Sequence, residues 1–230
     1  MNRLLLPIVA AQGAWVRRRL ELLPGATGPT TGTTTGPDSS PLRLVVVGES
    51  TAAGCGAATH EEAFTGAFAC ALAEHRGSPV AWTVHGRHGA TIRRVRYRLL
   101  PQLEENADVA VLLVGVNDVL SRSPAQQWSE DLAAVLDTLR ARAELVVVAG
   151  IPPFQAFPAL PRALGKYLAR RGRALDDIAR DLCATRTGAA WIGSTDLVLA
   201  DPEFFARDGF HPSPAGYRHW AQAVSDRLAH

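Results

Sequence analysis

Long apolar runs are missing from this 230-residue chain. The amino-terminal run Leu4-Leu5-Leu6-Pro7-Ile8-Val9-Ala10-Ala11 falls well short of the roughly 20 residues that a membrane-spanning helix needs. The cluster Arg17-Arg18-Arg19 follows that run instead of preceding it, so the segment makes a poor secretory signal. An excess of one charge is missing too. Lys and Arg total 24 against 22 Asp and Glu, and the net charge of +2 is too small to argue for nucleic acid. Lys166 is the single lysine. Cysteine is scarce: Cys55, Cys70 and Cys183 form an odd set without Cys-x-x-Cys spacing, which suggests neither a disulfide framework nor a zinc site. His85 and His88 have no third ligand at convincing spacing, so no metal is expected. Nucleotide-binding glycine motifs are absent as well. Gly54-Cys55-Gly56-Ala57-Ala58-Thr59 lacks the third glycine of a dinucleotide fingerprint, and no lysine follows its glycines as a phosphate-binding loop would require.

What remains is ordinary for a globular protein, with 47% hydrophobic and 20% charged residues. Residues 1–23 read as an amphipathic helix that either packs on the domain or lies on a membrane surface through its arginines. Residues 24–42, rich in Thr, Gly and Pro, read as a flexible linker with little to bury. Residues 43–230 then alternate strands with helices. Strands are expected at Leu44–Val47, Val80–Val84, Asp108–Val114, Leu145–Val148 and Ala189–Ile192. Helices are expected from the Thr59-His60-Glu61-Glu62 capping signature, after Thr91, from Ser123-Pro124, over 161–185 with possible irregularities at Gly165 and Gly172, and after Ser213-Pro214. The alternation predicts an α/β fold: a three-layer α/β/α sandwich around a doubly wound, mostly parallel five-stranded sheet of flavodoxin-like order 2-1-3-4-5.

Chemistry-bearing residues follow four of the expected strands, at the sheet edge where open α/β folds place their ligand crevice. Ser50 sits in a tight turn after the first strand, as a nucleophile or as a plain turn residue; Cys55, five positions on, either lines the same place or is buried. Gly89 follows the second strand and lets a backbone N–H approach a ligand closely. Asn117, a neutral amide donor, follows the third. Asp208-Gly209-Phe210-His211 follows the fifth and offers a carboxylate and an imidazole three residues apart. A nucleophile, a base, an orienting acid and oxyanion donors make up the minimum set for acyl transfer through a tetrahedral intermediate.

Gly48-Glu49-Ser50, Gly89, Gly115-Val116-Asn117-Asp118 and Asp208-Gly209-Phe210-His211 resemble, in order, the four blocks of the SGNH (GDSL-type) hydrolases. The resemblance covers about residues 43–228. It implies a carboxylic ester hydrolase of esterase or lipase type, in which Ser50 attacks, His211 shuttles the proton and Asp208 orients His211. It also implies an oxyanion hole from the Ser50 and Gly89 N–H groups and the Asn117 amide, without a cofactor. An acyltransferase with the same triad and a non-catalytic ligand-binding relative are the alternatives. The family's usual Gly-Asp-Ser-Leu is Gly-Glu-Ser-Thr here. In the family picture the Glu49 and Thr51 positions carry no chemistry, and Asp118 is expected to brace its loop. The apolar loop after the fourth strand, with Phe154 and Phe157, is expected to form an acyl- or lipid-facing wall, the alternative being that these rings only pack the loop onto the next helix. A small-molecule or lipid ester is the expected partner, with weak membrane-surface contact through the amino-terminal helix. The expected location is the cytoplasm.

Overall fold

The computed structural model describes residues 6–21, 23–36, 40–104, 106–194 and 203–228. Five parallel strands form the centre of the sheet: β2 (Leu42–Gly48), β3 (Val80–Gly86), β4 (Ala107–Leu113), β5 (Ala143–Ala149) and β6 (Ala189–Ile192). Their order is β3-β2-β4-β5-β6, the expected doubly wound arrangement. Residues 109–113 of β4 form an unbroken apolar run because both faces are covered, and successive side chains point to opposite layers. In β4, Val109, Val111 and Leu113 face one core, whereas Ala110 and Leu112 face the other. The first core is closed by α2 (Phe64–Arg76) and α7 (Pro214–Leu228), which supply Phe64, Phe68, Tyr217 and Val224. The second is closed by α5 (Ala125–Arg140), α6 (Arg162–Ala184) and α3, which runs from Ile92 to Arg94 and continues as a π turn to Leu99. A short α4 (Val116–Ser121) follows β4.

The sheet has six strands where five were expected. The sixth, β1 (Thr31–Thr33), comes from the segment expected to be a linker and pairs antiparallel with β3 at the sheet edge. Its sequence only looks like low complexity. Thr31 and Thr33 are β-formers, and Gly32 lies flat on the Trp82 ring, where an added Cβ would stand 2.4 Å from a ring carbon. Thr34 exchanges two bonds with Val80, accepting from its N–H through Oγ1 (2.9 Å) and donating to its carbonyl (3.0 Å). The strand covers an edge of β3 that would otherwise be open to pairing with another chain. Upstream, Ala26 N–H donates to the Ala53 carbonyl (2.8 Å) and Thr27 N–H to that of Ala58 (2.9 Å), so the segment also wraps the turn that carries Ser50.

Three further segments are placed in detail. The amino-terminal helix α1 spans Leu6–Arg19 and docks on the domain: Val9 and Val16 are buried, and Gln12 Oε1 accepts the Leu164 N–H (3.0 Å). α2 starts at Phe64 and not at Thr59. The capping-box bonds are made, Thr59 Oγ1 accepting from Glu62 N–H (3.4 Å) and Glu62 Oε2 from Ala58 N–H (3.3 Å), but they close a turn ahead of the helix. Gly165 and Gly172 do not break α6; a Cβ on Gly172 would meet the Phe154 ring at 3.3 Å, so this glycine admits that ring against the helix.

Candidate active site

The turn after β2 puts Ser50 at the carboxyl edge of the sheet, and Ser50 is buried, with 7% of its surface exposed. The loop 203–213 is folded so that His211 meets it. Gly209 N–H donates to the Ala206 carbonyl, Ala206 N–H to that of His211, and Ser213 N–H to that of Phe204, closing the loop before Ser213 Oγ caps the start of α7 through Gly216 N–H (3.0 Å). The two segments are locked together at Gly56. Its φ is +102°, and an added Cβ would stand 2.1 Å from the Pro212 carbonyl oxygen, so no side chain fits there. Tyr217 Oη adds a buried bond to the Cys55 carbonyl (2.7 Å).

His211 Nε2 lies 3.0 Å from Ser50 Oγ, and His211 Nδ1 lies 2.6 Å from Asp208 Oδ2. Asp208 Oδ1 accepts the backbone N–H groups of Phe210 (2.9 Å) and His211 (3.0 Å). Burial opposes the charge on Asp208, but the imidazole and these two N–H donors outweigh it and hold the carboxyl below its ordinary range. An ionised carboxylate can only accept, so Nδ1 carries the ring proton and Nε2 presents its lone pair to the serine hydroxyl. Cys55 is no rival nucleophile, since burial pushes its thiol up to about 11.

Asn117 lies at the start of α4, and what holds it is Glu49. Glu49 is 2% exposed; its Oε1 accepts the Val116 N–H (3.1 Å), and its Oε2 accepts both the Asn117 backbone N–H (3.0 Å) and the Asn117 side-chain amide (2.7 Å). The Glu49 position, expected to matter little, therefore has a role: this side chain fixes the orientation of the amide. The sequence carries the cue, a charged residue between a buried strand and a serine, but not its partner. Asp118 braces its loop as expected, accepting from Ile92 N–H (2.8 Å) and Ser123 Oγ (2.9 Å). Gly89, at φ +71°, lies in the turn after β3, which is tied to the serine turn by Arg87 N–H donating to the Gly48 carbonyl (3.1 Å).

Burial pushes the Glu49 carboxyl up to about 8 and that of Asp118 to about 6, against the N–H and O–H donors that favour their charged forms. Groups whose folded pKa is raised bind more protons folded than unfolded. The stability they contribute is complete below about pH 4 and is lost as pH rises through about 6 and then about 8. Chemical denaturation across this range should show stability declining by up to about 1.4 kcal/mol per pH unit for each group. Glu49→Gln should flatten the upper part of the decline; an unchanged slope in that variant would remove Glu49 as its source.

A cavity of about 40 Å³ opens beside Ser50 and His211. Phe157, Phe204, Phe205, Phe210 and Trp220 line it, together with Pro152 and Ser194. Of the two rings expected to form an apolar wall, Phe157 is there and Phe154 is not. Phe154 is fully buried, stacked on Phe157 at 5.3 Å and packed against α6. The remaining aromatics come from the segment just before Asp208, from Phe210 beside the histidine and from α7, and sequence reading misses them because nothing local shows that they converge.

Comparisons with known proteins place the chain in a family. The GDSL-like Lipase/Acylhydrolase family matches residues 46–219. The GDSL-like esterase Rv1075c of Mycobacterium tuberculosis is 29% identical over 185 residues, covering 76% of this chain; the chain spans 58% of that relative's length. Among solved structures, TesA superposes with a TM-score of 0.66 at 24% identity, over 81% of this chain and 97% of its own. The Clostridium thermocellum family 3 carbohydrate esterase gives 0.64 at 16% identity, over 83% and 100%. These structures share the fold, and with a family match running from β2 into α7 the chain belongs to the GDSL-like lipase/acylhydrolase family.

Proposed function

We propose that the protein hydrolyses carboxylic esters through an acyl-enzyme formed on Ser50. The observation that carries this reading is the continuous chain Asp208–His211–Ser50, with bonds of 2.6 and 3.0 Å in a buried site. His211 Nε2 takes the hydroxyl proton as Ser50 Oγ attacks the ester carbonyl, and returns it to the departing alcohol. Asp208 stays ionised and stabilises the imidazolium. The backbone N–H groups of Ser50 and Gly89 and the Asn117 amide receive the oxyanion; an amide has two hydrogens, and Glu49 engages one of them. Water, activated by the same histidine, then releases the acid. An added alcohol acceptor would report any transfer to groups other than water.

The acyl group occupies the cavity bounded by Phe157, Phe204 and Phe210. Its small, aromatic-lined volume suits short unbranched acyl chains. A series of p-nitrophenyl esters tests this: the wild type should discriminate against long chains, and Phe157→Ala should weaken that discrimination. Phe154→Ala should leave the preference in place and instead cost roughly 3–5 kcal/mol of stability. A chain-length profile unchanged in Phe157→Ala would overturn the placement of the acyl group.

We further propose that α1 gives weak contact with anionic lipid surfaces. Ile8 and Trp15, a helical heptad apart, are each 49% exposed, Arg19 stacks over Trp15 at 5.1 Å, and Arg17, Arg18 and Arg19 end the helix. No helix among the described residues is long and apolar enough to cross a membrane. Flotation with phosphatidylserine vesicles should show salt-sensitive binding that Trp15→Ser combined with Arg17→Gln, Arg18→Gln and Arg19→Gln removes. Equal flotation of both proteins would end the idea.

A further inference from the structure

Beside the triad lies a second set of ligands. Among the described residues, Cys55, His88 and His211 each offer one metal-ligand atom, and these three atoms lie within 4.8 Å of one another. The chain positions 55, 88 and 211 have no motif spacing, so the cluster exists only in the fold. Cys55 comes from the turn after Ser50, His88 from the loop after β3, and His211 from the loop before α7. The His88 and His211 rings stand 6.0 Å apart, and His88 is exposed, which leaves an approach from solvent.

We propose that Cys55, His88 and His211 form a zinc(II) site whose occupancy shuts off the triad. One thiolate and two imidazoles are a donor set that zinc prefers over magnesium or calcium, which favour oxygen ligands. Ligand atoms around tetrahedral zinc, each about 2.0–2.3 Å from the metal, sit about 3.3–3.8 Å apart, so modest adjustment of the solvent-exposed His88 ring closes the site. Since Asp208 occupies Nδ1 of His211, the free ligand atom is Nε2, the one that faces Ser50. The carboxylate behind the ligating histidine is itself the arrangement that orients imidazoles on zinc. Ser50 Oγ, 3.0 Å from Nε2, or a water completes four-coordination. Binding exchanges the thiol proton of Cys55 for a sulfur–zinc bond and releases that proton to solvent; no electrons move. With its lone pair on the metal, His211 cannot take the serine proton, so zinc acts as a reversible inhibitor.

Zinc binding is a property separate from ester hydrolysis and is testable with or without it. Zinc chloride titrated into the metal-free protein should abolish ester hydrolysis, chelator should restore it, and magnesium should do nothing. Cys55→Ala and His88→Ala should keep the basal rate and each raise the half-inhibitory zinc concentration at least about 10-fold. Cobalt(II) gives a readout independent of activity: the wild type should develop a thiolate-to-cobalt charge-transfer absorption that Cys55→Ala lacks and that zinc displaces. Absence of zinc inhibition, or an identical half-inhibitory concentration in the wild type and both variants, would overturn the site, as would absence of the cobalt band in the folded wild type.

Discussion

Replacing Ser50 by Ala should lower kcat for a short-chain p-nitrophenyl ester by a factor on the order of 10⁴ or more, with the melting temperature little changed. The size of the effect follows from the serine's place at the head of a bonded chain. Removing the hydroxyl leaves His211 and Asp208 in position but takes away the atom proposed to form the acyl-enzyme. His211→Ala should cost about as much. The double variant should cost little more than either alone, because the two groups act as a unit. Ser50 is buried, yet Ala fits its volume, so loss of activity will not be confused with loss of fold. If Ser50→Ala hydrolyses the ester at the wild-type rate, the chemistry lies elsewhere.

The second large effect concerns the oxyanion side. Asn117→Ala should lower kcat by ~10²–10³ and leave KM almost unchanged, as expected for a donor used only when charge develops on the carbonyl oxygen. Glu49 should show the same signature at one remove. Its carboxyl group fixes both the Asn117 amide and the first turn of α4, so Glu49→Gln, whose amide nitrogen accepts no hydrogen bond where a carboxyl oxygen does, should misplace Asn117. We expect at least a ten-fold fall in kcat from Glu49→Gln, smaller than that from Asn117→Ala, and no further fall when the two are combined. Additive losses in the double variant would mean that Glu49 acts by a route other than Asn117. A loss confined to stability, with kcat intact, would reduce Glu49 to a structural brace.

These two expectations differ in how visible they are in the sequence. Ser50, Asn117, Asp208 and His211 each follow a strand whose apolar run announces it, and parallel topology brings strand ends to one edge whatever the packing details. That is why the core of the fold and the relative placement of these residues can be read from patterning. Glu49 escapes such a reading because its partners, Val116 and Asn117, are 67 and 68 positions away and pair with it only once β2 and β4 lie side by side. The same physics hides β1. Thr31, Gly32 and Thr33 have no hydrophobic pattern, and their strand exists because β3 offers an open edge and Trp82 a flat surface. Phe154 and Phe157 look equivalent in sequence, two rings three residues apart, but Gly172 of α6 gives one of them a buried seat and leaves the other to face the cavity. The Cys55–His88–His211 cluster is the extreme case, since it draws on three separate loops.

Peptide mass spectrometry after treatment with a fluorophosphonate identifies the nucleophile directly. One stoichiometric adduct is expected on Ser50, formed as hydrolysis of the ester is lost and strongly slowed in His211→Ala. An active protein that forms no adduct, or carries it on another residue while Ser50 stays free, would contradict the role of Ser50 as nucleophile.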